Sequence, residues 1–229
     1  AKSEIEIKVK DGKLNTLSGK SKFAIPCTDG SLYPTLKLDG DMNNGNIRTI
    51  IDGVHNATPK VDVRYHLVGV CLDVSDGVMS SVATDGHVLF INQQETDMND
   101  FQIIIPLQAA EYLSNTDTDG YLISNKSLKA VSLSDNLEII TRLIDAKYVD
   151  FKRIIADYEF KLSVNIAELL ASVSIISKIE NANSAHLKSL DGSLIVSTKD
   201  GNGMAVSSEI EHFGDNIDFM YDPNNLLKC

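Results

Sequence analysis

The stretch Val78-Met79-Ser80-Ser81-Val82-Ala83-Thr84-Asp85-Gly86-His87-Val88-Leu89 decides the fold of the chain around it. The pattern from Val78 to Thr84 predicts a β-strand, and a second strand is predicted over His87–Asn92. Between them, Asp85-Gly86 supplies at low cost the left-handed backbone conformation that a reversal between two strands needs. The stretch therefore predicts an antiparallel hairpin.

Further short strands are predicted on both sides of this hairpin, and they outnumber the helical segments. Because most of the chain follows strand patterns, sheets should dominate the fold. The additional predicted strands are Ile5–Val9, Lys22–Ile25, Leu67–Val74, Phe101–Ile105, Leu128–Leu133 and Leu137–Leu143.

Three segments have the spacing of amphipathic helices. Apolar residues at i, i+3, i+4 and i+7 predict a helix over 46–57. A second helix is predicted over 106–115, because proline is favoured at a first helical position. The three apolar stripes are Ile47, Ile50, Ile51 and Val54, then Leu107, Ala110 and Leu113, then Leu169, Leu170, Val173 and Ile176.

The sequence also repeats itself at long range, which is informative about domain organisation. Asp76-Gly77 followed by Thr84-Asp85-Gly86 recurs, 115 residues later, as Asp191-Gly192 followed by Lys199-Asp200-Gly201. Three more anchors have shifts of 115 to 119 residues. They are Leu14–Leu36 with Leu128–Phe151, where Tyr33 matches Tyr148, then Asn46-Ile47 with Asn165-Ile166, and Pro106 with Pro223.

These shifts predict three copies of one domain, of which the middle copy is complete. The boundaries that follow are 1–39 for the end of a first domain, 40–157 for a whole middle domain and 158–229 for the front of a third. A domain cut through its sheet leaves unpaired strand edges. We therefore expect the chain to be a piece of a longer three-repeat protein.

Composition sets broad limits on function. The 229 residues have a formal net charge of −11, and 43% are apolar, as in ordinary globular proteins. Three widely spaced cysteines, Cys27, Cys71 and Cys229, predict reduced thiols in a cytoplasmic protein. No apolar run approaches the length of a membrane helix, so no membrane partner is expected. The acidic total argues against indiscriminate coating of nucleic acid.

The segments Val61–Val70 and Ser81–Leu89 closely resemble the middle domain of the bacterial DNA polymerase III beta subunit, the sliding-clamp family. The resemblance continues through Ile103–Pro106 and through Tyr148–Ile155, which is similar to the family's domain-closing motif. It implies an α+β DNA-clamp fold, with repeated domains of antiparallel sheets and two inner helices per domain. It also implies a non-catalytic processivity factor, with no catalytic residue, cofactor or metal.

By this resemblance, the hairpin turn belongs to a groove at the junction of the second and third domains. Such a groove takes linear peptides of DNA polymerase and clamp-loader subunits through an apolar anchor and a few polar contacts. The implied groove residues are Leu67, Thr84, Gly86, His87, Leu89 and Ala156. The chain departs from the family at Val88, where relatives commonly have a basic residue, and at Ala156, where they have proline.

The resemblance also implies a homodimeric ring around double-stranded DNA, bound without regard to base sequence. Residues that would face the duplex are Arg48, Lys60, Arg64, Tyr65 and His66. Cations are few there, since Leu107 and Gln108 stand where relatives often have basic residues. Residues implied at the subunit interface are Lys20, Lys22, Phe23, Ile25, Ile175 and Ile176.

Two other functions stay open from the residues themselves. One is a hydrolase that uses Asp85, His87 and a hydroxyl such as that of Ser81. The other is a clamp-derived scaffold that binds peptides but does not encircle DNA, which the acidic total favours. The chain has no phosphate-binding G-x-x-x-x-G-K-[ST] loop, which excludes it as its own ATP-driven loader.

Overall fold

A computed structural model describes residues 5–32, 38, 40–155, 161–179, 184–190, 192–199 and 205–228. The chain divides into two compact units, Ala1–Asp39 and Gly40–Cys229. In the described part, strands pair only in antiparallel fashion, and they form four sheets accompanied by four α-helices. No helix among these residues is long and apolar enough to cross a membrane.

The first unit contains a three-stranded meander, β1 (Ile5–Lys10), β2 (Lys13–Ser18) and β3 (Ser21–Pro26). A tight turn at Asp11-Gly12 joins the first two strands, and both turn residues have positive φ, 55° and 67°. The primed turns that join twisted strands require this left-handed conformation. A 3₁₀ turn, Gly30–Leu32, follows the meander.

The second unit begins with residues 40–155, which we call the middle repeat and which contain two four-stranded sheets. The strands of this repeat are β4 (Asn43–Asn44), β5 (Gly69–Ser75), β6 (Val78–Thr84), β7 (Leu89–Glu95), β8 (Phe101–Pro106), β9 (Gly120–Ile123), β10 (Ser127–Ser132) and β11 (Leu137–Arg142). One sheet has the order β7-β6-β5-β8 and the other has the order β11-β10-β9-β4. Its helices are α1 (Arg48–Ile51) and α2 (Leu107–Ser114), with 3₁₀ turns at Val54–Ala57, Tyr65–Leu67 and Phe151–Arg153.

One hydrophobic core joins both helices to both sheets of the middle repeat. Ile51 of α1 and Leu113 of α2 are buried in it with Val70 of β5 and Leu128 of β10. The apolar stripe predicted from Ile47 to Val54 is buried along its whole length. The helices therefore hold the two sheets together by burying apolar surface on each of them.

The remaining described residues form the third repeat (residues 161–228), which has its own core. Its elements are β12 (Leu162–Val164), α3 (Ile166–Ile176), β13 (Ala185–Leu190), β14 (Ser193–Lys199), β15 (Ala205–Gly214), β16 (Asp218–Tyr221) and α4 (Pro223–Leu226). The five strands form one sheet in the order β12-β15-β14-β13-β16.

The predicted repetition is visible in this topology. The order β7-β6-β5-β8 of the middle repeat recurs as β15-β14-β13-β16, and a helix follows the last strand in each. Asn46 Oδ1 accepts from the N–H two residues later at 3.1 Å, and Asn165 Oδ1 does the same at 2.9 Å. Such a side-chain bond satisfies a free N–H at a helix start. The boundaries 1–39, 40–157 and 158–229 remain predictions.

Four details of the predicted elements are wrong. The strand predicted from Leu67 begins at Gly69, because residues 65–67 form a 3₁₀ turn. The helix predicted over 46–57 is interrupted at Gly53, whose φ of 76° turns the chain from α1 into a 3₁₀ turn. The strand predicted from His87 begins at Leu89, because the turn before it is longer. Leu170 lies on the exposed side of α3, so the stripe of that helix is narrower than predicted.

Candidate functional site

The turn between β6 and β7 is held rigid by its own polar side chains. Thr84 Oγ1 donates to the Val88 carbonyl at 2.6 Å and accepts from the Gly86 N–H at 3.0 Å. Asp85 Oδ1 accepts from the backbone N–H groups of His87 and Val88 at 2.9 and 3.1 Å. Gly86 has a φ of 93°, which favours glycine. This network presents the His87 side chain to solvent.

Lys228 of the third repeat reaches the same turn. Its Nζ lies 2.7 Å from Asp85 Oδ2, and the pair joins the middle and third repeats. Burial raises the pKa of Asp85, but hydrogen bonds from Lys228 and from the N–H groups of His87 and Val88 outweigh it and lower that pKa to about 2. Asp85 is therefore ionised at neutral pH and anchors two elements.

The hydrolase alternative does not fit this geometry. Both carboxylate oxygens of Asp85 are engaged by backbone N–H groups and by Lys228, and neither bonds to the His87 ring. Ser81, the candidate nucleophile, lies fully buried in β6, where a substrate cannot reach its hydroxyl. The described residues contain no group of three His, Cys, Asp or Glu side chains that could hold a metal ion.

The predicted groove residues surround the turn unequally. His87 and Gly86 are exposed, Leu89 is half-buried and Thr84 is buried. Leu67 is only 1% exposed and packs in a core cluster that includes Phe151, so its prediction as a contact residue needs correction. The half-buried Leu89 packs against the same cluster. Ala156 lies outside the described residues.

Arg48 and its aspartate partner link the two helices of the middle repeat. Arg48 Nη1 lies 3.1 Å from Asp117 Oδ1, in the loop after α2. The same oxygen accepts from Asn46 Nδ2 at 2.9 Å, and this bond, with the charge and hydrogen bond of Arg48, lowers the pKa of Asp117. The Arg48 guanidinium is therefore already engaged in an ion pair with Asp117.

Arg64 is paired in the same way, by an aspartate two residues before it. Its Nε and Nη2 donate to the two Asp62 oxygens at 3.0 and 2.8 Å, and Nη2 also approaches the Asp85 carbonyl at 3.4 Å. Hydrogen bonds from the Arg64 side chain and backbone lower the pKa of Asp62 to about 2. Arg64 therefore connects the 60–66 loop to the hairpin turn.

The other predicted duplex-facing residues lie in the same loop. Lys60 and Tyr65 are exposed, and His66 is half-buried with its ring edge-on to Tyr65 at 6.0 Å between centroids. Within the described ranges, Lys60 has no ion pair or side-chain hydrogen bond. Among the described residues, no carboxylate therefore neutralises the charge of the Lys60 side chain.

The predicted subunit-interface residues differ in accessibility. Phe23 and Ile25 of β3 are 61% and 53% exposed, and Lys20 and Lys22 beside them are exposed as well. On α3, Ile175 is exposed, which leaves it free to contact a partner. Ile176 is fully buried in the third-repeat core, because it lies on the inner face of the helix, and its prediction as an interface residue is wrong. The predicted interface residues that are exposed are therefore Lys20, Lys22, Phe23, Ile25 and Ile175, and their role at an interface stays a prediction.

Three residues that form ion pairs with the predicted site residues were not identified from the sequence. Asp62 stands two positions before Arg64, a spacing that could have revealed the pair. Asp117 and Lys228 gave no local signal, since each meets its partner across a long stretch of chain.

The chain is similar to known proteins of one family. Residues 41–150 match the model of the DNA polymerase III beta subunit, central domain. The beta sliding clamp of Pseudomonas aeruginosa is 26% identical over 242 residues, covering 97% of this chain and 65% of that protein. The chain thus spans about two thirds of the length of such relatives.

Solved structures share the fold. The DNA polymerase sliding clamp from P. aeruginosa, solved with ligand, has a TM-score of 0.81 at 22% identity and covers 98% of this chain and 66% of its own. The clamp from Bacillus subtilis has a TM-score of 0.79 at 21% identity, over 98% of this chain and 64% of that one. The fold is an α+β clamp fold, as predicted, and residues 41–150 belong to the family of the DNA polymerase III beta subunit, central domain.

Proposed function

We propose that the chain acts as part of a DNA sliding clamp, a non-enzymatic ring that tethers a replicative polymerase to duplex DNA in the cytoplasm. The observation that carries the proposal is the match of nearly the whole chain, across its repeats, to solved sliding clamps with TM-scores near 0.8. A tether needs no nucleophile, metal or cofactor. In this reading the domains are 1–39, 40–157 and 158–229.

The duplex-facing surface of the proposed ring lies on α1 and the 60–66 loop. Arg48, Lys60 and Arg64 supply its charge, and Tyr65 and His66 lie beside them. Such contacts go to phosphates, which are the same for every base sequence. Because the sequence has only four arginines, the residue that most often reads bases, sliding without sequence preference is the natural outcome.

The partner groove of the proposed clamp is centred on the turn around His87. The exposed imidazole lies beside the half-buried Leu89, and Thr84 and Gly86 fix the backbone between them. Ala156, which lies outside the described residues, stays a predicted member of the groove. A linear peptide from a polymerase or clamp-loader subunit would place an apolar side chain here.

Ring closure would use the exposed residues on β3 and α3. Lys20, Lys22, Phe23 and Ile25 lie on or beside a strand whose outer edge has no partner in the described sheet, and such an edge needs pairing or protection. Ile175 offers the exposed apolar side chain on α3. A head-to-tail contact between these surfaces closes a ring after two copies.

The test uses two variants that should separate the two activities. Arg48→Glu with Lys60→Glu should weaken duplex binding and flatten its salt dependence, by about 0.9 in slope per lost phosphate contact, while a polymerase-derived peptide binds as before. His87→Ala should do the reverse, costing roughly 1 to 2 kcal/mol in peptide affinity. If either variant lost both duplex binding and peptide binding, the proposal that these activities use two separate surfaces would be contradicted.

A peptide-binding scaffold that does not encircle DNA is the second candidate. It is favoured by the net charge of −11 and by the ion pairs that neutralise both arginines of the duplex-facing surface. For this function the His87 variant keeps its predicted loss of peptide affinity, and the Arg48 and Lys60 changes leave DNA retention unaltered.

A further inference from the structure

Both arginines of the proposed duplex-facing surface are occupied by carboxylates. Asp117 holds Arg48 at 3.1 Å, and Asp62 holds Arg64 through two N–H groups at 3.0 and 2.8 Å. The guanidinium fork recognises carboxylate and phosphate with the same geometry. Asp62 therefore occupies two donors of Arg64 that a phosphate would need, and Asp117 occupies one donor of Arg48.

The two carboxylates are fixed in place by contacts other than the ion pairs. Asp117 Oδ1 also accepts from Asn46 Nδ2. Asn46 Oδ1 in turn accepts from the Arg48 N–H at the start of α1 and from the Thr118 N–H in the loop after α2. Asp62 Oδ1 accepts from the Arg64 backbone N–H at 2.7 Å. Neither aspartate has to be ordered when it pairs with its arginine, so the entropic cost of pairing is small.

We propose that Asp62 and Asp117 compete with DNA phosphates for Arg64 and Arg48, and so limit how tightly the chain holds duplex DNA. This inference rests on the proposed duplex-binding function. An exposed ion pair is weak enough to exchange readily, so a phosphate can displace the carboxylate and be displaced again. Contacts that form and break in this way hold a duplex without fixing the ring at one place.

The experiment measures the equilibrium affinity of the full chain for a short, labelled, mixed-sequence duplex over a series of salt concentrations. Asp117→Asn and Asp62→Asn remove the charge, and the amide oxygen can still accept from Asn46 or from the Arg64 N–H. Asp52→Asn is the graded control. Asp52 follows the last residue of α1, and its Oδ2 lies 3.9 Å from Arg48 Nε, an ion pair of the same arginine that has no hydrogen bond.

We expect each of the first two variants to bind about two- to fivefold more tightly, the range that an exposed ion pair supplies. The salt slope should steepen by up to about 0.9 for each arginine released. Asp52→Asn should change both quantities less than Asp117→Asn does, because its ion pair with Arg48 has no hydrogen bond. Equal tightening by Asp52→Asn would overturn the inference, since a general loss of negative charge would then explain the result.

Arg48→Gln and Arg64→Gln separate failure of the inference from failure of the proposed function. If these variants weaken duplex binding but the two asparagine variants do not strengthen it, the competition is refuted and the duplex-facing surface stands. If the glutamine variants bind as the wild type does, neither arginine contacts DNA and both proposals fall. Binding that is detectable only in the Asp62, Asp117 double variant would support the inference.

Discussion

The meander β1-β2-β3 and the segment β9-β10-β11 have the same strand order and antiparallel pairing, yet they differ completely in burial. Leu128 and Ala130 of β10 are buried under α1 and α2. On the first meander, Ile7, Phe23 and Ile25 project from one face of the sheet and are exposed. Strand formation and register are thus set locally by alternation and turns, whereas burial depends on the helices that cover the sheet.

The largest expected difference between the two segments is in the free energy of unfolding that is lost when a leucine at matching positions is replaced by alanine. Leu128→Ala in β10 should reduce the free energy of unfolding by roughly 2 to 5 kcal/mol, because it leaves a cavity under the helices. Leu14→Ala, at the matching place in β2, should cost about half as much or less, since Leu14 is half-buried. Denaturant unfolding of both variants checks this, and equal losses would contradict the assigned difference in burial.

A smaller effect should come from the start of the equivalent strands β5 and β13. Gly69 begins β5, and a Cβ there would lie 2.6 Å from the Ile105 carbonyl oxygen and 2.8 Å from Ile104 Cγ2. The third repeat accommodates Ala185 at the start of β13. Gly69→Ala should therefore destabilise the middle repeat by roughly 1 to 3 kcal/mol, through overpacking.

Gly30→Ala is the control for that substitution, because a Cβ at Gly30 meets no atom within 4 Å and its φ is not in the left-handed region. It should leave the unfolding midpoint unchanged. A Gly69→Ala variant as stable as the wild type would show that β5 and β8 are less closely packed than the structure has them.

The smallest expected effect concerns the ion pair between the two larger repeats. The pKa of Asp85 is lowered to about 2, against an ordinary value of about 3.9. Its stabilising contribution is complete above about pH 4 and is lost as the pH falls through about 2. Lys228→Met should raise the Asp85 pKa toward its ordinary value, which moves this loss to higher pH.

An NMR titration of the Asp85 carboxyl group measures that shift directly, with Lys126→Met as the control that removes an exposed lysine having no ion pair in the described structure. An unchanged Asp85 pKa in Lys228→Met would mean that the His87 and Val88 N–H groups alone hold the carboxylate, and that the two repeats are not joined at this turn.

Much of the fold was predictable because its signals are local. The left-handed turn at Asp76-Gly77, the proline before α2 and the asparagines before α1 and α3 each specify backbone conformation within a few residues. The interruption at Gly53 was not predicted, because an apolar stripe with helical spacing is compatible with an α-helix and with a 3₁₀ turn that buries the same side chains.

The site was less predictable, because its charges meet across the chain. The hairpin turn could be placed from Asp85-Gly86, but the burial of Leu67 depends on packing against Phe151 and other distant residues. The pair Arg48–Asp117 joins residues 69 positions apart, and Lys228 meets Asp85 across 143 positions. Sequence patterns with a period of a few residues do not register such contacts.

The most direct measurement of the clamp function is retention on DNA of two topologies. The chain is assembled on closed circular duplex, and the amount bound is followed before and after a single cut linearises the DNA. Topological retention predicts that the protein stays on the circle at raised salt and leaves promptly once ends are available, whatever the base sequence. Equal retention on circular and linear DNA, or strong preference for one sequence, would contradict the proposal that this chain encircles DNA.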